Sequence, residues 1–368
     1  MSIEGTSIDR AELQDAARKA FGEGGLTQDP ARVWDLIVEM GWLGMTVPEE
    51  LGGLGLGAEA QGVIHFELGR TLAPGPVAAH MMVIEALVQA KQQELIERAV
   101  AGELMTASLR FSTTKEDEGK LSGTLAAVAD ADKATHILVS TALETGFDDG
   151  QTSFDEGNRS SIEDGRLILL PLNTPGIAIT ERPLWDKSRR VFDVTLDGVS
   201  VDAGVTLATG EAAKAIEATL KAHLLFALSA DSLGGAEAIL EITVEYLKTR
   251  KQFDRPLAMF QALKHRCADL KTILSAAEAL LWTHAADGRT APLSQPVKAG
   301  ALKAHAARVY HIVTEEAVQL HGGIGLTEEH QCHLFLKRAT LNESLGGSAD
   351  HWNEAAGREI AKALLADA

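Results

Sequence analysis

The order of sequence patterns along the chain constrains its fold more than any other feature, because the pattern changes twice. Residues 1–104 carry apolar side chains at helical spacing, as in IDRAELQDAARKAF and AAHMMVIEALVQA. Residues 105–208 carry short apolar or alternating runs such as ATHILVSTA and VFDVTLDGVSV, which indicate strands. Residues 209–368 return to long helix-forming stretches. This order predicts an N-terminal α-helical domain, a middle β-barrel or β-sandwich domain and a C-terminal four-helix-bundle domain.

The amino-acid composition limits the kinds of partner that the chain can bind. The 34 Lys and Arg residues against 52 Asp and Glu residues give a net charge of −18. This argues against a nucleic-acid partner, because a phosphate backbone requires clustered basic side chains. Cys267 and Cys332 are too few for a disulfide framework. The chain shows neither a signal-peptide pattern nor the roughly 20 apolar residues of a membrane helix. We therefore expect a cytoplasmic protein without a membrane partner.

The first segment with recognisable chemistry is Tyr246–Gln261, YLKTRKQFDRPLAMFQ. A predicted helix ends there in a basic cluster, which is followed by an aromatic side chain and a proline turn. The guanidinium of Arg250 could hold a pyrophosphate through two hydrogen bonds, while the ring of Phe253 covers a heterocycle. The same residues would also suit an ordinary helix end, where basic side chains complement the helix dipole. The segment alone leaves both interpretations open.

The second segment is Gln319–His330, QLHGGIGLTEEH. A predicted helix stops at Gly322 and Gly323, where a ligand can approach the backbone amides because no Cβ intervenes. Gln319 lies one turn earlier and could hydrogen-bond a base edge or a ribose. An ordinary glycine cap at a helix end would give the same pattern. This segment alone also leaves two interpretations open.

Taken together, the two segments resemble the acyl-CoA dehydrogenase family of flavoenzymes. In that family a helix ends in Tyr-x-x-x-Arg-x-x-Phe-Gly with a following Gln, and a Gln-x-x-Gly-Gly-x-Gly segment comes later. GWLGMTVPEELGGLGLG resembles the family's N-terminal turn, and WDKSRRVFDVTLDGVSV resembles its last middle-domain strands. The resemblance covers essentially all 368 residues. It implies the family's helical, β and helical domains and an oxidoreductase that uses FAD and an acyl-CoA.

The family places each FAD between two subunits. One subunit holds the flavin ring, and its neighbour holds the adenine and pyrophosphate. A glutamate removes the α-proton of the acyl-CoA, which does not ionise unaided. The β-hydride passes to the flavin, and electrons leave to an electron-transfer flavoprotein. The resemblance assigns the neighbour-side role to six residues here: Arg250, Phe253, Gln261, Gln319, Gly322 and Gly323. One departure is Asp254, where the family prefers glycine, because it puts a carboxylate beside a phosphate site.

The residues that would hold the chain's own flavin ring do not match the family. Residues 106–119, TASLRFSTTKEDEG, lack the family's Thr-Glu-Pro-x-x-Gly-Ser-Asp loop. Ala126, Ala127 and Val128 replace its Trp-Ile-Thr strand. Ser348 and Asp350 are found where a flavin-binding Thr and Gln are expected.

The catalytic glutamate is absent from both positions that the family uses. The common position corresponds to Gly346, and the alternative one to Leu224, with Leu225 at a neighbouring arginine position. Glycine and leucine cannot accept a proton, so we predict no catalytic residue in this chain. We expect the nearby carboxylates Glu343 and Asp350 to be solvated.

The neighbour-side residues are thus present, whereas the residues for the flavin ring and the base are missing. This combination predicts the base-lacking, β-type subunit of an α2β2 acyl-CoA dehydrogenase, of the kind found in steroid-degrading bacteria. A homologous α-type subunit would supply the glutamate, and a steroid side-chain or other bulky acyl-CoA would be the substrate. One alternative is a homomeric flavoenzyme with Glu343 or Asp350 as an unconventional base. Another is a flavin-free scaffold or acyl-CoA-binding protein. We expect no metal site, because lone histidines such as His321 and His351 show no metal-ligand spacing.

Overall fold

The structure is a computed structural model that describes residues 9–22, 25–26, 28–111, 114–141, 165–287 and 293–366. The acidic, glycine-containing sequence of residues 144–165 predicts a long surface loop or a mobile insertion, and this stretch lies outside the described residues except for Gly165. Helices precede and follow a middle region built of strands, so the predicted order of helical, β and helical regions is confirmed. No described helix combines the length and the apolar composition that a membrane span requires.

Five α-helices make up the described N-terminal region. They are α1 (Arg10–Gly22), α2 (Pro30–Glu39), α3 (Gly57–Arg70), α4 (Val77–Gln89) and α5 (Gln93–Val100). Asp29 caps α2 by accepting a hydrogen bond from the Ala31 amide at 2.8 Å, and Pro30 occupies the first helical position. Proline suits that position because its missing N–H would have no helical partner there. The aspartate and proline therefore mark the start of α2, as the sequence predicts.

Two four-stranded sheets form the middle region. Its strands are β1 (Met105–Ala107), β2 (Lys115–Asp117), β3 (Lys120–Ala129), β4 (His136–Ser140), β5 (Arg166–Pro171), β6 (Ile177–Arg182), β7 (Val191–Ser200) and β8 (Val205–Thr209). One sheet has the order β1-β4-β5-β8 and the other β2-β3-β7-β6. Only the β1–β4 pairing is parallel among the described strands of these sheets. Alternate side chains meet in an apolar core between the sheets, including Leu125, Ile137, Ile168 and Val194.

Long helices form the C-terminal region. They are α6 (Gly210–Thr249), α7 (Gln261–Asp287), α8 (Pro296–His321), α9 (Cys332–Ser344) and α10 (Ala349–Ala366). A short hairpin of β9 (Lys251–Gln252) and β10 (Arg255–Pro256) joins α6 to α7. Glycines allow α6 to pack closely on its neighbours, because a Cβ on Gly234 would overlap the Phe66 backbone and one on Gly235 would overlap the Tyr310 ring. The central helix α6 therefore contacts both α3 and α8.

A buried polar network centred on Arg338 of α9 connects the three regions. Its guanidinium is fully buried and donates to Asp231 of α6 at 2.9 Å, to Asp186 at 3.1 Å and to the Ala73 carbonyl at 3.2 Å. Burial tends to raise the pKa of Asp231, but the positive charges of Arg189 and Arg338 outweigh this and hold the pKa below its usual value. No local sequence pattern indicates this network, because its members lie far apart along the chain.

Candidate functional site

The two candidate ligand-binding segments lie side by side at the ends of α6 and α8. The Tyr246 ring near the end of α6 stacks on the His321 ring, with 4.5 Å between their centroids. The Tyr246 hydroxyl also donates to the His321 backbone carbonyl at 3.3 Å. Arg250 follows Tyr246 by one helical turn, and Gly322 directly follows His321. The tertiary structure therefore joins two motifs that are separated by about 70 residues in sequence.

The hairpin between α6 and α7 presents Phe253 at its tip. Phe253 and Asp254 form the two-residue turn, with φ angles of 53° and 63°. Such turns require a left-handed backbone at both positions, and aspartate tolerates this conformation better than most residues do. Asp254 therefore fulfils the backbone requirement that a glycine would meet. The Phe253 side chain is 85% exposed, so its ring is free to cover a ligand.

All six residues that the resemblance assigned to a neighbour's FAD are exposed. Gln319 precedes the end of α8, and Gln261 begins α7, close in sequence to the hairpin. A Cβ on Gly322 or Gly323 would meet no heavy atom within 4 Å, so the backbone there faces open space. Their contact with FAD stays a prediction. The exposed residues are Arg250, Phe253, Gln261, Gln319, Gly322 and Gly323.

The segments that depart from the family's flavin-ring loop and strand pair with each other. The Ser108 hydroxyl donates to the Ala126 carbonyl at 2.7 Å, and the Leu109 amide donates to the Ala127 carbonyl at 3.0 Å. A cavity of about 30 Å³ lies beside Leu109, Ala129 and Leu228. The absence of a flavin-ring site in this chain stays a prediction.

Both positions at which the family carries its base lie in apolar surroundings. A Cβ on Gly346, which has a φ of 64°, would lie 3.1 Å from the Leu225 and Leu228 side chains. Leu224 and Leu225 are both fully buried. The Gly346 amide donates to the Leu109 carbonyl at 2.9 Å, and its own carbonyl accepts from Trp352 at 2.8 Å. The Gly346 segment is therefore held firmly against leucines.

The two carboxylates considered as substitute bases lie on the surface. Glu343 has a side chain that is 51% exposed, and its carboxylate lies 3.8 Å from His311 Nδ1. Asp350 is exposed in the first turn of α10. Solvated surface carboxylates of this kind are common and need no catalytic explanation.

Lys303 of α8 holds both ends of the segment that contains Gly346. Its ammonium is 1% exposed and donates to the Glu343 carbonyl at 2.9 Å and to the Gly347 carbonyl at 2.7 Å. Burial lowers the pKa of Lys303 to about 7, although the negative charge of Glu343 opposes this shift. The sequence analysis did not identify Lys303, because a buried lysine looks like a surface lysine in sequence.

The Lys303 pKa predicts that the protein becomes more stable as the pH rises from 7 towards 10. In this window the unfolded chain keeps the lysine protonated while the folded protein releases the proton, so the free energy of unfolding rises with pH. We expect a gain of roughly 2 kcal/mol between pH 7 and 9 from this group. Urea unfolding at both pH values measures it. Lys303→Met should remove this gain, and Lys248→Met, an exposed control, should keep it. An equal dependence of the free energy of unfolding on pH in both variants would contradict the lowered pKa of Lys303.

The structure also brings together three residues that the sequence left apart. His321, His330 and Cys332 each offer one ligand atom, and these atoms lie within 4.8 Å of one another. The expectation of no metal site rested on sequence spacing, which does not show this convergence. Burial raises the pKa of the Cys332 thiol to about 12. It also raises the thiol pKa of the partly buried Cys267, which was expected to be a small apolar residue.

Comparisons with known proteins agree with this architecture. The model of the acyl-CoA dehydrogenase N-terminal domain matches residues 10–103, and that of the C-terminal domain matches residues 222–364. The acyl-CoA dehydrogenase IpdE2 of Mycobacterium tuberculosis is 30% identical over 312 residues, which are 83% of this chain and 80% of that protein. The chain belongs to the acyl-CoA dehydrogenase family. FAD is the cofactor of this family, and dehydrogenation is its oxidoreductase chemistry.

Solved structures of the family include assemblies of unlike chains. A variant of the Tcur3481-Tcur3483 steroid ACAD (acyl-CoA dehydrogenase) is 27% identical, covers 97% of this chain and 98% of its own, and has a TM-score of 0.79. A chain of the ChsE4-ChsE5 complex from Mycobacterium tuberculosis is 25% identical and also has a TM-score of 0.79. The match covers 98% of this chain and 99% of that chain. Both similarities extend over the whole acyl-CoA dehydrogenase fold.

The residues of this acyl-CoA dehydrogenase fit one half of FAD. The exposed guanidinium, ring and bare backbone at the ends of α6 and α8 suit the pyrophosphate and adenine. The packing of Gly346 against Leu225 and Leu228 presents no polar side chain that could hold a flavin ring or act as a base.

Proposed function

We propose that this chain is the base-lacking subunit of a heteromeric, FAD-dependent acyl-CoA dehydrogenase. A homologous α-type subunit would supply the catalytic glutamate and the site for the flavin ring. The observation that carries the proposal is the packing of Gly346 against Leu225 and Leu228. Gly346 stands at the family's common base position and the buried Leu224 at the alternative one, and neither side chain can accept a proton.

The contribution of this chain would be to bind the nucleotide part of the partner's FAD. FAD supplies the hydride acceptor for α,β-dehydrogenation when it is bound. The guanidinium of Arg250 neutralises the pyrophosphate, and the ring of Phe253 covers the adenine. The amides at Gly322 and Gly323 and the amide side chains of Gln261 and Gln319 complete the contact by hydrogen bonding.

The surface around these residues supports a protein partner. Phe253 at the hairpin, Met259 before α7 and Leu326 after the paired glycines are exposed by 85%, 56% and 74%. Large apolar side chains gathered around polar ligand-binding residues are typical of an interface core. We therefore place the α-type subunit on this surface, in an α2β2 heterotetramer.

A bulky acyl-CoA is the substrate class that we propose. The similarity to a steroid ACAD supports a steroid side-chain substrate. A heteromer in which leucine and alanine side chains fill one of the two substrate pockets can also have a larger pocket in the other subunit. An electron-transfer flavoprotein would accept the electrons, as the family resemblance implies.

The flavin content of the purified proteins tests the proposal. We expect the chain alone to be colourless, because it supplies only half of each FAD site. Co-expression with a homologous α-type subunit should give a yellow complex with one FAD per heterodimer, measured as the ratio of flavin absorbance to protein. One FAD per chain, or a yellow protein without a partner, would overturn the proposal.

Two variants separate this proposal from a homomeric enzyme with an unconventional base. Glu343→Gln and Asp350→Asn each remove one exposed carboxylate without changing its size. If either residue were the base, its substitution should abolish turnover of an acyl-CoA. We expect both variants to keep the rate of the unchanged complex, since both carboxylates are exposed on the surface of the chain.

A further inference from the structure

We propose that His321, His330 and Cys332 form a binding site for a zinc-like divalent cation. One ligand atom from each residue lies within 4.8 Å of the others. Zinc bonds of about 2.0 Å to nitrogen and about 2.3 Å to sulfur place neighbouring ligands somewhat closer than this. The three groups therefore need to close by about 1.5 Å or less at any pair, which side-chain rotation can supply. The proposal does not depend on the function proposed above.

His321 has the arrangement that a metal-binding histidine requires. The ring is 3% exposed, and Nδ1 lies 2.7 Å from the Ala317 carbonyl. Because a carbonyl only accepts hydrogen bonds, Nδ1 carries the proton and Nε2 presents its lone pair. Nε2 is buried and has no hydrogen-bond partner among the described residues. Ligating histidines usually donate their second ring nitrogen in this way, and an unpartnered buried acceptor is itself costly.

His330 and Cys332 complete the set from the start of α9. The Cys332 amide donates to His330 Nδ1 at 3.2 Å, which holds the imidazole close to the thiol. The thiol is fully buried, whereas His330 is partly exposed and leaves a path for an ion.

The chemistry of the three ligands selects the class of ion. Two imidazoles and one thiolate suit zinc and other borderline or soft ions, whereas magnesium and calcium prefer oxygen ligands. Binding would deprotonate Cys332 and release one proton, leaving a fourth position for water. No carboxylate belongs to the cluster among the described residues.

A bound ion would hold the surrounding helix ends together. The Tyr246 ring stacks on His321 and contacts His330 edge-on, with 6.1 Å between the latter centroids. His321 ends α8 and Cys332 begins α9, so the ion would close the connection that contains Gly322 and Gly323. The ion is therefore a structural clamp across the ends of α6, α8 and α9.

Metal titration of the full chain tests the site. After treatment with a chelator, Co²⁺ should bind at one equivalent and produce a sulfur-to-cobalt charge-transfer band in the near ultraviolet. Free Zn²⁺ at a concentration about a hundredfold above its Kd should displace Co²⁺. It should raise the Tm by about 3 °C above that of the metal-free protein. Absence of a stoichiometric band would overturn the proposal.

Two cysteine variants provide a matched comparison. Cys332→Ser should abolish the charge-transfer band and weaken Zn²⁺ binding at least tenfold. Cys267→Ser, which removes the chain's other cysteine, should keep both. His330→Gln at the partly exposed ligand should also weaken Zn²⁺ binding at least tenfold, and it carries the test if Cys332→Ser fails to fold. A band that survives in Cys332→Ser, or Zn²⁺ binding that is unchanged in His330→Gln, would overturn the site.

Discussion

Arg250→Ala is expected to remove most of the FAD from the proposed heteromeric complex, although we propose no catalytic residue in this chain. Arg250 is exposed at the end of α6, one turn after Tyr246, whose hydroxyl donates to the carbonyl of His321, the residue before Gly322. Loss of its charge-assisted hydrogen bonds to a pyrophosphate should cost about 2–3 kcal/mol, or roughly 100-fold in the Kd for FAD. Flavin released during gel filtration, followed by its absorbance, measures the loss.

Lys248→Ala is the matched control for Arg250→Ala. Lys248 is a basic residue at the same helix end, but its ammonium already pairs with Glu245. This variant removes the same formal charge, so it reports any general electrostatic effect on an anionic cofactor. We expect it to keep its FAD. If Arg250→Ala kept as much FAD as Lys248→Ala, the neighbour-side role of Arg250 would be wrong.

Arg338→Met is expected to destabilise the chain by about 3–5 kcal/mol, because it leaves buried carboxylates without their partner. Arg338 is 0% exposed and donates to Asp231 and Asp186 at 2.9 and 3.1 Å. Methionine keeps much of the apolar volume of the arginine stem, so the loss comes chiefly from the missing charge and hydrogen bonds. The midpoint of urea unfolding measures the effect.

Arg358→Met provides the comparison for Arg338→Met. Arg358 pairs with Glu354 on the surface of α10, where both side chains are more than two-thirds exposed. Exposed ion pairs of this type contribute about 0.5 kcal/mol or less. A similar small change for both variants would show that Asp231 is satisfied without Arg338, through Arg189 and Asn342 alone.

Helix α9 shows why one element escaped prediction from the sequence. Its buried positions follow helical spacing, but Arg338 and Asn342 occupy two of them. A search for apolar periodicity does not detect a buried face that is partly polar. The other long helices were predicted because their buried faces are mostly apolar or rich in alanine, as in α6 and α8.

The sequence predicted some features of the candidate site and missed others. The sequence identified the exposed residues at the ends of α6 and α8, because helix ends, glycines and turns leave local signals. It also showed that Gly346 and Leu224 cannot act as bases, since this depends only on residue type. It did not show that Leu225 and Leu228 pack against Gly346, or that Lys303 holds the segment around it.

The order of helical and β regions, the family, and the residue types at each base position can be read from the amino-acid sequence. Spacing and composition carry this information because they reflect the local chain alone. The contacts between distant groups become visible in the folded chain, as with Arg338 and Asp231, which are 107 residues apart, and with His321, His330 and Cys332. Such contacts depend on how long helices cross and pack, and a pattern of neighbouring residues does not encode that geometry.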